Sequence, residues 1–259
     1  MSLEGIKEES HHPILILKDI SFIITNKQSK FEIIHKINME VNEKEFIAIT
    51  GPSGCGKSTL LRIIAGLIKP TNGEILLEGK PLNGPTEKIT MVFQQFALLP
   101  WLTALENVEL SALRLIPDKE KRKEKAMKLL EIVGLAGFEY FYPKELSGGM
   151  RQRVAIARAL MPDPEIILMD EPFSNLDQPT ASNLRYEILN ILRSSPTLKA
   201  IIMVSHNIEE IVELADRVII LSKRPAEVVK EIYIDIPHPR SVRLPKFSSY
   251  VDMIYGYLG

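Results

Sequence analysis

The sequence has few of the features that would place it in a disulfide-bonded, nucleic-acid-binding or membrane-spanning class. It contains one cysteine, Cys55, so an internal disulfide framework is excluded. The 32 basic residues are balanced by 33 acidic ones, which leaves no basic excess for a nucleic-acid partner. No apolar run approaches the roughly 18 residues of a spanning helix. The first residues also lack the basic start and apolar stretch of a secretory signal.

The remaining composition is that of an ordinary globular protein, with 45% hydrophobic and 25% charged residues. Its 259 residues suffice for one large domain with a subdomain. Apolar strands at 166–169, 200–204 and 217–221 alternate with helical segments, which predicts an α/β fold with a mostly parallel sheet. β-rich runs precede this core, and a helical stretch at 102–159 divides it.

A glycine-rich segment, Gly51 to Ser58, fits the pattern G-x-x-x-x-G-K-[ST] between an apolar strand and a helical segment. Glycines let backbone N–H groups approach phosphate oxygens at a helix N-terminus. Lys57 supplies positive charge for the β- and γ-phosphates, and the Ser58 hydroxyl is placed to bind Mg²⁺. The predicted phosphate-binding residues are Gly51, Pro52, Ser53, Gly54, Cys55, Gly56, Lys57, Ser58 and Thr59.

Two carboxylates, Asp170 and Glu171, follow the apolar strand at 166–169. Because side chains alternate in direction along a strand, the two can serve different purposes. Asp170 is expected to hold the Mg²⁺ shell, and Glu171 to orient and polarise an attacking water as general base.

The segment Leu146 to Gln152, with sequence LSGGMRQ, resembles the signature of ATP-binding cassette proteins. Further motifs follow in family order: Gln94 as the Q-loop glutamine, Ser174 to Asp177 as the D-loop, and His206 as the switch histidine. The resemblance covers nearly the whole chain. It implies an α/β P-loop NTPase core of RecA-like type, with an N-terminal antiparallel β subdomain and an inserted α-helical subdomain.

The resemblance also assigns the remaining site residues. It implies that Gln94 couples Mg²⁺ and water to movement of the helical insert, and that His206 contacts the γ-phosphate and the attacking water. Ser147, Gly148 and Gly149 open a helix, whose free N–H groups form a second anion site. In the family, the phosphate loop of one subunit and the signature of another enclose each ATP, so a head-to-tail homodimer is expected. Asp177 is assigned to the nucleotide site with the D-loop.

One position departs from the family pattern. Family members usually stack adenine on an aromatic residue near the end of the first strand, and the corresponding position here is Ile24. Phe22 lies two residues earlier on the same strand face, so Phe22 or Ile24 is expected to contact the base. A smaller departure is Lys44, where the family commonly has glycine.

Two further stretches, Phe93 to Thr103 and Leu221 to Arg240, resemble the nitrate, sulfonate and taurine branch of importer ATPases. This resemblance implies integral-membrane permease partners, an indirect link to an extracytoplasmic solute-binding protein, and a location at the cytoplasmic face of the membrane. Trp101 lies where the family docks a permease helix, although core packing is an equal alternative. A soluble, non-transporting cassette ATPase shares every catalytic motif and stays open, whereas the signature argues against a P-loop kinase.

The expected domain organisation follows from these motifs. Residues 13–240 form the ATPase domain, with the helical subdomain at about 96–160 inserted in the α/β core. Residues 241–259 form a C-terminal tail in which Tyr250, Met253, Ile254 and Tyr257 have the spacing of a short helix.

Overall fold

The computed structural model describes residues 13–25 and 29–258. In chain order the strands are β1 (Leu15–Thr25), β2 (Lys30–Val41), β3 (Glu45–Thr50), β4 (Asn72–Leu77), β5 (Lys80–Pro81), β6 (Ile89–Val92), β7 (Ile166–Asp170), β8 (Ala200–Val204), β9 (Arg217–Leu221) and β10 (Val228–Tyr233). The helices are α1 (Lys57–Ile64), α2 (Ala104–Leu110), α3 (Lys119–Ile132), α4 (Gly148–Leu160), α5 (Gln178–Ser194), α6 (Ile208–Leu214) and α7 (Pro245–Leu258).

A six-stranded sheet forms the centre of the protein, in the order β10-β9-β3-β8-β7-β6. The five strands from β9 to β6 pair in parallel, and β10 joins the edge antiparallel. Every residue of β3, β7, β8 and β9 is buried, which explains their nearly continuous apolar sequences. The predicted α/β core is confirmed. Its parallel strands bring the loops after β3, β7 and β8 to one edge.

A second sheet of four antiparallel strands, in the order β2-β1-β4-β5, packs over the first. Apolar side chains from β1, β2, α1 and the central strands form one buried cluster, which includes Leu15, Ile34, Ile49 and Leu60. The β1–β2 pairing is irregular near its outer end, where Phe22 pairs with Ile34 but the next residue, Ile23, pairs with Glu32. Ile33 is thus an extra residue in β2, and this bulge bends the strand.

Helices α2, α3 and α4 lie between β6 and β7 in the chain, as the helical segment at 102–159 predicts. Buried Asn107 orders the turn before α2, because its side chain accepts a hydrogen bond from Leu99 N and donates to the carbonyls of Leu99, Leu102 and Thr103. Trp101, within this turn, is 68% exposed. The alternative of core packing for Trp101 is therefore wrong.

The C-terminal helix α7 is 14 residues long and packs against α6 and β9. Its buried anchors are Phe247 and Ile254, whereas Met253 and Tyr257 are exposed. Arg240 fixes the preceding segment, since its guanidinium donates to the carbonyls of Val212 and Ile236, among others. Within residues 13–25 and 29–258, we find no helix with the length and apolarity required to cross a membrane.

Candidate active site

The phosphate loop leaves buried strand β3 and enters α1 at Lys57. Gly51 has φ of 153°, and a Cβ there would lie 2.7 Å from the Leu221 carbonyl oxygen. Gly56 has φ of 130°, and a Cβ there would lie 3.1 Å from Ile33 Cγ2. A side chain at either glycine would therefore force the loop off β9 or β2, so these contacts fix the loop path.

Lys57 and Ser58 place a cation and a hydroxyl at the start of α1. Lys57 Nζ donates to the carbonyl oxygens of Gly51 at 2.7 Å and Pro52 at 2.9 Å, which holds the ammonium inside the loop. Ser58 Oγ donates to Asp170 Oδ1 at 2.9 Å. The two oxygen donors come from α1 and from the end of β7, and paired hard oxygens are ligands that suit Mg²⁺.

Asp170 and Glu171 point to different partners although they are consecutive. Asp170 is 3% exposed and faces Ser58. Burial raises the pKa of the Asp170 carboxyl, and the hydrogen bond from Ser58 opposes that rise. Glu171 turns away with φ of 50°, an uncommon backbone conformation for a non-glycine residue, and its N–H donates to the Val204 carbonyl at 2.9 Å. The end of β8 thus holds the Glu171 backbone in place.

The three residues expected to act on the attacking water meet at one carboxylate. Gln94 Nε2 donates to Glu171 Oε2 at 3.1 Å, and His206 Nδ1 lies 3.3 Å from Glu171 Oε1. The His206 side chain is 68% exposed, whereas that of Glu171 is 22% exposed. These side chains come from the loops after β6, β7 and β8, so neighbouring parallel strands bring them together.

The signature residues form the start of α4, as expected. Ser147 is the N-cap, and its hydroxyl accepts a hydrogen bond from Met150 N at 3.2 Å. A Cβ on Gly149 would lie 2.8 Å from Leu176 Cδ2 and 3.3 Å from the Asn175 carbonyl oxygen. The beginning of α4 therefore packs closely against the loop at 174–177, and glycine permits this approach.

Asp177, which was assigned to the nucleotide site, is the N-cap of α5. Its Oδ2 accepts a hydrogen bond from Thr180 N at 3.2 Å. The hydrogen bonds from Thr180 lower the pKa of Asp177. In this structure the carboxylate thus begins a helix, and a contact with nucleotide stays a prediction.

The region expected to contact the base contains an aromatic residue that the sequence reasoning missed. Ile24 pairs directly with Phe31 across the β1–β2 ladder, and the two residues are 49% and 52% exposed. Ile34 pairs with Phe22, which precedes Ile24 by two residues on β1, so the register places Phe31 and Ile34 on one face of the ladder. A Cβ on Gly56 of the phosphate loop would lie 3.5 Å from Ile34 Cγ1. Phe22 is partly buried against the core. The cross-strand register reveals Phe31; spacing along one strand does not.

Two more side chains near the site also escaped prediction. Arg224, in the loop between β9 and β10, donates from Nη2 to the Gly54 carbonyl at 2.6 Å and so braces the phosphate loop. Gln152, buried on α4, donates to the Glu171 carbonyl at 3.3 Å. No signal within the phosphate loop points to Arg224, because its partner is a backbone atom 170 residues away.

Comparisons with known proteins agree with this geometry. A family model described as ABC transporter matches residues 34–174. The chain is 45% identical over 245 residues to an uncharacterized ABC transporter ATP-binding protein of Methanocaldococcus jannaschii, covering 94% of this chain and 91% of that one. It is 42% identical to an aliphatic sulfonates import ATP-binding protein, SsuB, of Bacillus cereus, covering 89% and 90% of the two chains.

Among solved structures, the fold matches the ATP-binding cassette MJ0796 in a dimeric, post-hydrolysis state bound to ADP and Pi. The TM-score is 0.78 at 34% identity, and the match covers 86% of this chain and all of that one. The fold, the convergent site and these relatives lead to one conclusion. The chain belongs to the ABC transporter family, and it is an ATP-binding cassette ATPase.

Proposed function

We propose that this ATPase is the nucleotide-binding subunit of an importer, and that it couples ATP hydrolysis in a head-to-tail homodimer to solute uptake. The observation that carries the hydrolytic part is the convergence of Gln94 and His206 on Glu171. The same strand end supplies Asp170, which faces Ser58 of the phosphate loop. The residues proposed for phosphate binding and for water activation therefore lie next to each other at the ends of parallel strands.

Each catalytic side chain has a separate role in the proposed reaction. Glu171 orients the attacking water and accepts its proton as general base. Gln94 holds one carboxylate oxygen of Glu171, while His206 lies at the other oxygen and faces solvent, from which the γ-phosphate approaches. Lys57 is held in the loop by two carbonyls, and the third N–H of its ammonium would donate a hydrogen bond to a phosphate oxygen.

The residues present also fit a magnesium ion. The Ser58 hydroxyl, the Asp170 carboxylate and the Gln94 side-chain oxygen are hard donors of the type that Mg²⁺ takes alongside phosphate and water. A bound Mg²⁺ neutralises charge that develops on the phosphate oxygens. Ser58 and Asp170 already share a hydrogen bond, so their oxygens lie close together without rearrangement.

The proposed homodimer rests on the exposed start of α4. Ser147 is the exposed N-cap, and Gly148 and Gly149 are the first residues of α4, where backbone N–H groups lack intrahelical acceptors and attract phosphate. The cassette MJ0796 was solved twice as a dimer. In the proposed arrangement, the signature of one copy completes the phosphate loop of the other, with Asp177 at the same interface.

We further propose that Phe31 and Ile24 form the surface that contacts the base. The pair is apolar and exposed, and it lies on the strand face that contacts Gly56. A planar ring next to a branched aliphatic chain suits the face of adenine. This surface takes the place of the single aromatic residue that the family resemblance led us to expect at position 24.

Support for an importer comes from relatives and from one exposed surface. The Bacillus cereus relative is named for import of aliphatic sulfonates, and a sulfonate or a similar oxyanion is the solute class proposed here. Among the large apolar side chains of residues 13–25 and 29–258, that of Trp101 is the most exposed, and Trp101 follows the Q-loop. An exposed indole that follows Gln94 closely in the chain suits docking by a permease helix at the cytoplasmic face of the membrane.

The proposed division into domains follows from this coupling. Residues 13–240 form the ATPase unit, and residues of about 96–160 move as the helical subdomain that carries both Trp101 and the signature. Residues 241–259 form a tail on the core. The external solute-binding protein acts only through the permease.

The central experiment uses Glu171→Gln in the full chain. Replacement of the carboxylate by an amide removes the general base but keeps the size of the side chain, so we expect ATP turnover to fall at least 100-fold while ATP binding persists. Light scattering under saturating MgATP is then expected to show a stable dimer. Added Ser147→Arg, which obstructs the signature, should return this variant to monomer.

Transport is tested separately by purifying the wild-type chain from native membranes and identifying its partner chains. Co-purification of an integral-membrane permease, with sulfonate uptake lost in Glu171→Gln cells, supports the importer. A chain that turns over ATP but never associates with membrane proteins would instead be a soluble cassette ATPase. Full turnover by a monomer would contradict the two-copy site.

A further inference from the structure

A buried arginine on α5, Arg185, connects two of the catalytic loops. The residue is 4% exposed, and its Nη2 donates to Ser182 Oγ at 3.0 Å. Its guanidinium carbon lies 5.7 Å from the centroid of the Phe173 ring. Phe173 follows Glu171 by two residues, so Arg185 packs against the loop that carries the proposed general base. A charge this deeply buried requires compensating groups.

Two carboxylates on α6 supply that compensation. Glu210 Oε1 lies 3.6 Å from Arg185 Nη1, and Glu213 Oε2 lies 3.0 Å from Arg185 Nε. The two glutamates are one helical turn apart and face the same guanidinium. Their side chains are 12% and 26% exposed, so Glu210 is the more deeply buried partner.

Glu210 differs from Glu213 in a second contact, which reaches the His206 loop. Glu210 Oε2 accepts a hydrogen bond from Ser205 Oγ at 3.1 Å, and Ser205 Oγ in turn accepts one from Asn207 N at 3.0 Å. The Glu210 backbone N–H also donates to Asn207 Oδ1 at 3.2 Å. Glu210 therefore holds both neighbours of His206 through its side chain and backbone.

The Arg185–Glu210 contact is an ion pair with room to shorten. A charge-assisted hydrogen bond between such groups measures about 2.7–2.9 Å, whereas this separation is 3.6 Å. Arg185 Nη1 is buried and has no hydrogen-bond acceptor among residues 13–25 and 29–258, and the 3.0 Å contact of Nε with Glu213 lacks hydrogen-bond geometry. A small approach of α5 to α6 would give Nη1 a hydrogen-bond acceptor. The ion pair therefore favours a closer arrangement of the loop at 174–177 and the His206 loop.

We propose that Arg185 and Glu210 are positioning residues for hydrolysis, and that their ion pair sets the place of His206 relative to Glu171. Because α5 begins at Asp177, movement of the loop at 174–177 reaches His206 through the same pair. Neither residue touches the reacting atoms. This inference rests on the proposed roles of Glu171 and His206.

The test compares two isosteric variants in the full chain, Glu210→Gln and Glu213→Gln. Each removes one negative charge beside Arg185, but only Glu210 contacts the His206 loop. We expect Glu210→Gln to lower kcat about tenfold with KM for ATP changed less than twofold, since the loss affects water activation and not binding. Glu213→Gln is expected to keep kcat within twofold of the unmodified chain.

Three further variants separate positioning from folding. Arg185→Gln is expected to lower kcat as Glu210→Gln does, and the double variant should be no worse than either single one, because both remove the same link. Arg185→Lys keeps the charge and is expected to retain most of kcat. Across the variants, we expect the Tm values to show no correlation with the kcat values.

The proposal is overturned if Glu213→Gln slows turnover as much as Glu210→Gln, if the two losses add, or if KM rises instead of kcat falling. Failure of the proposed function would give a different result. In that case Glu171→Gln or His206→Ala leaves turnover unchanged, whatever the Glu210 variants do.

Discussion

At the scale of single residues, the site depends on a few places where backbone segments approach closely. Gly51, Gly56 and Gly149 leave no room for a Cβ without displacing β9, β2 or the loop at 174–177. Arg224 and Gln152 add contacts to the backbone atoms of these same loops. These contacts fix the paths of the loops that carry the proposed catalytic side chains.

Phe31→Ala tests the base-contacting surface. Loss of the ring removes stacking worth about 1–3 kcal/mol, so KM for ATP should rise at least fivefold while kcat stays within twofold. Steady-state kinetics with ATP and GTP measure the effect, and Phe31→Tyr is the matched control because it keeps an aromatic face. An unchanged KM in Phe31→Ala would exclude this surface from base binding.

The sequence predicts the motif residues of the site because each motif is local and its chemistry depends on residue type and spacing. Gly51–Ser58 and Asp170–Glu171 are examples. Phe31 escapes prediction because it meets Ile24 only through the pairing of two strands. Arg185 escapes prediction because amphipathic spacing does not distinguish a buried charge on α5 from an exposed one, and its partners lie on α6.

At the scale of secondary-structure elements, buried and capping charges connect segments that are distant in the chain. Arg158 on α4 donates to the carbonyls of Phe96 and Ala97, both at 2.6 Å. Phe96 and Ala97 have φ of 61° and 48°, a strained conformation for such side chains. The signature helix therefore holds the segment that leads to Trp101, so a displacement of one is transmitted to the other.

Trp101→Ala tests the docking surface at this scale. The indole is exposed, so its removal should change Tm by less than about 2 °C, as for surface substitutions generally. Association with the proposed permease should fall at least tenfold, as expected for a central aromatic contact. Affinity purification of the complex measures the loss, and Tyr186→Ala, exposed on α5, provides a control. Intact association in the Trp101 variant would place the docking surface elsewhere.

Lys44, which replaces a commonly observed glycine, closes the end of α5. Its Nζ donates to the carbonyls of Leu192, Ser195 and Leu198, although the residue has φ of 60°. The side chain thus supplies donors to carbonyls at and beyond the helix end, where intrahelical donors run out. This contact gives a physical reason for lysine at a position whose backbone favours glycine.

Lys44→Ala is expected to lower the free energy of unfolding by about 1–3 kcal/mol, because it removes charge-assisted hydrogen bonds and keeps the unfavourable φ. Lys44→Gly removes the same bonds but relieves the backbone, so its loss should be smaller by about 1 kcal/mol. Urea unfolding of both variants measures the difference. Equal losses would show that backbone strain contributes nothing here.

At the scale of the whole molecule, an ion-pair network joins the two sheets. Lys199 lies 2.7 Å from Glu78 and 3.1 Å from Glu165, and Lys88 contacts the same two glutamates. Glu78 follows β4 of the antiparallel sheet, whereas Lys199 and Glu165 precede β8 and β7 of the central sheet. Hydrogen bonds from Lys199 and Lys88 lower the pKa of Glu78 from 4.5 to about 2.

The lowered pKa fixes the direction of a pH effect. Glu78 stabilises the fold while it is ionised, so its contribution is complete above about pH 5.5 and is lost as the pH falls from 4.5 toward 2. The glutamate is partly solvated, which limits the contribution to about 1 kcal/mol. Glu78→Gln should therefore be less stable than wild type at pH 6, and the difference should shrink at pH 3.

Urea unfolding across this pH range provides the measurement. Glu124→Gln is the control, since Glu124 pairs with Lys128 on an exposed helix face and does not join two sheets. A stability difference for Glu78→Gln that grows as the pH falls would contradict the assigned sign.

The close packing of Gly149 on Asn175 and Leu176 has a consequence for timing. In the proposed head-to-tail dimer, the signature that contacts phosphate in the partner copy packs on the loop after Glu171 in its own copy. Release of phosphate from one site would shift the loop that supports the signature at the other site. Phosphate release at the two sites therefore cannot be independent in time. Turnover plotted against ATP concentration should accordingly be sigmoidal.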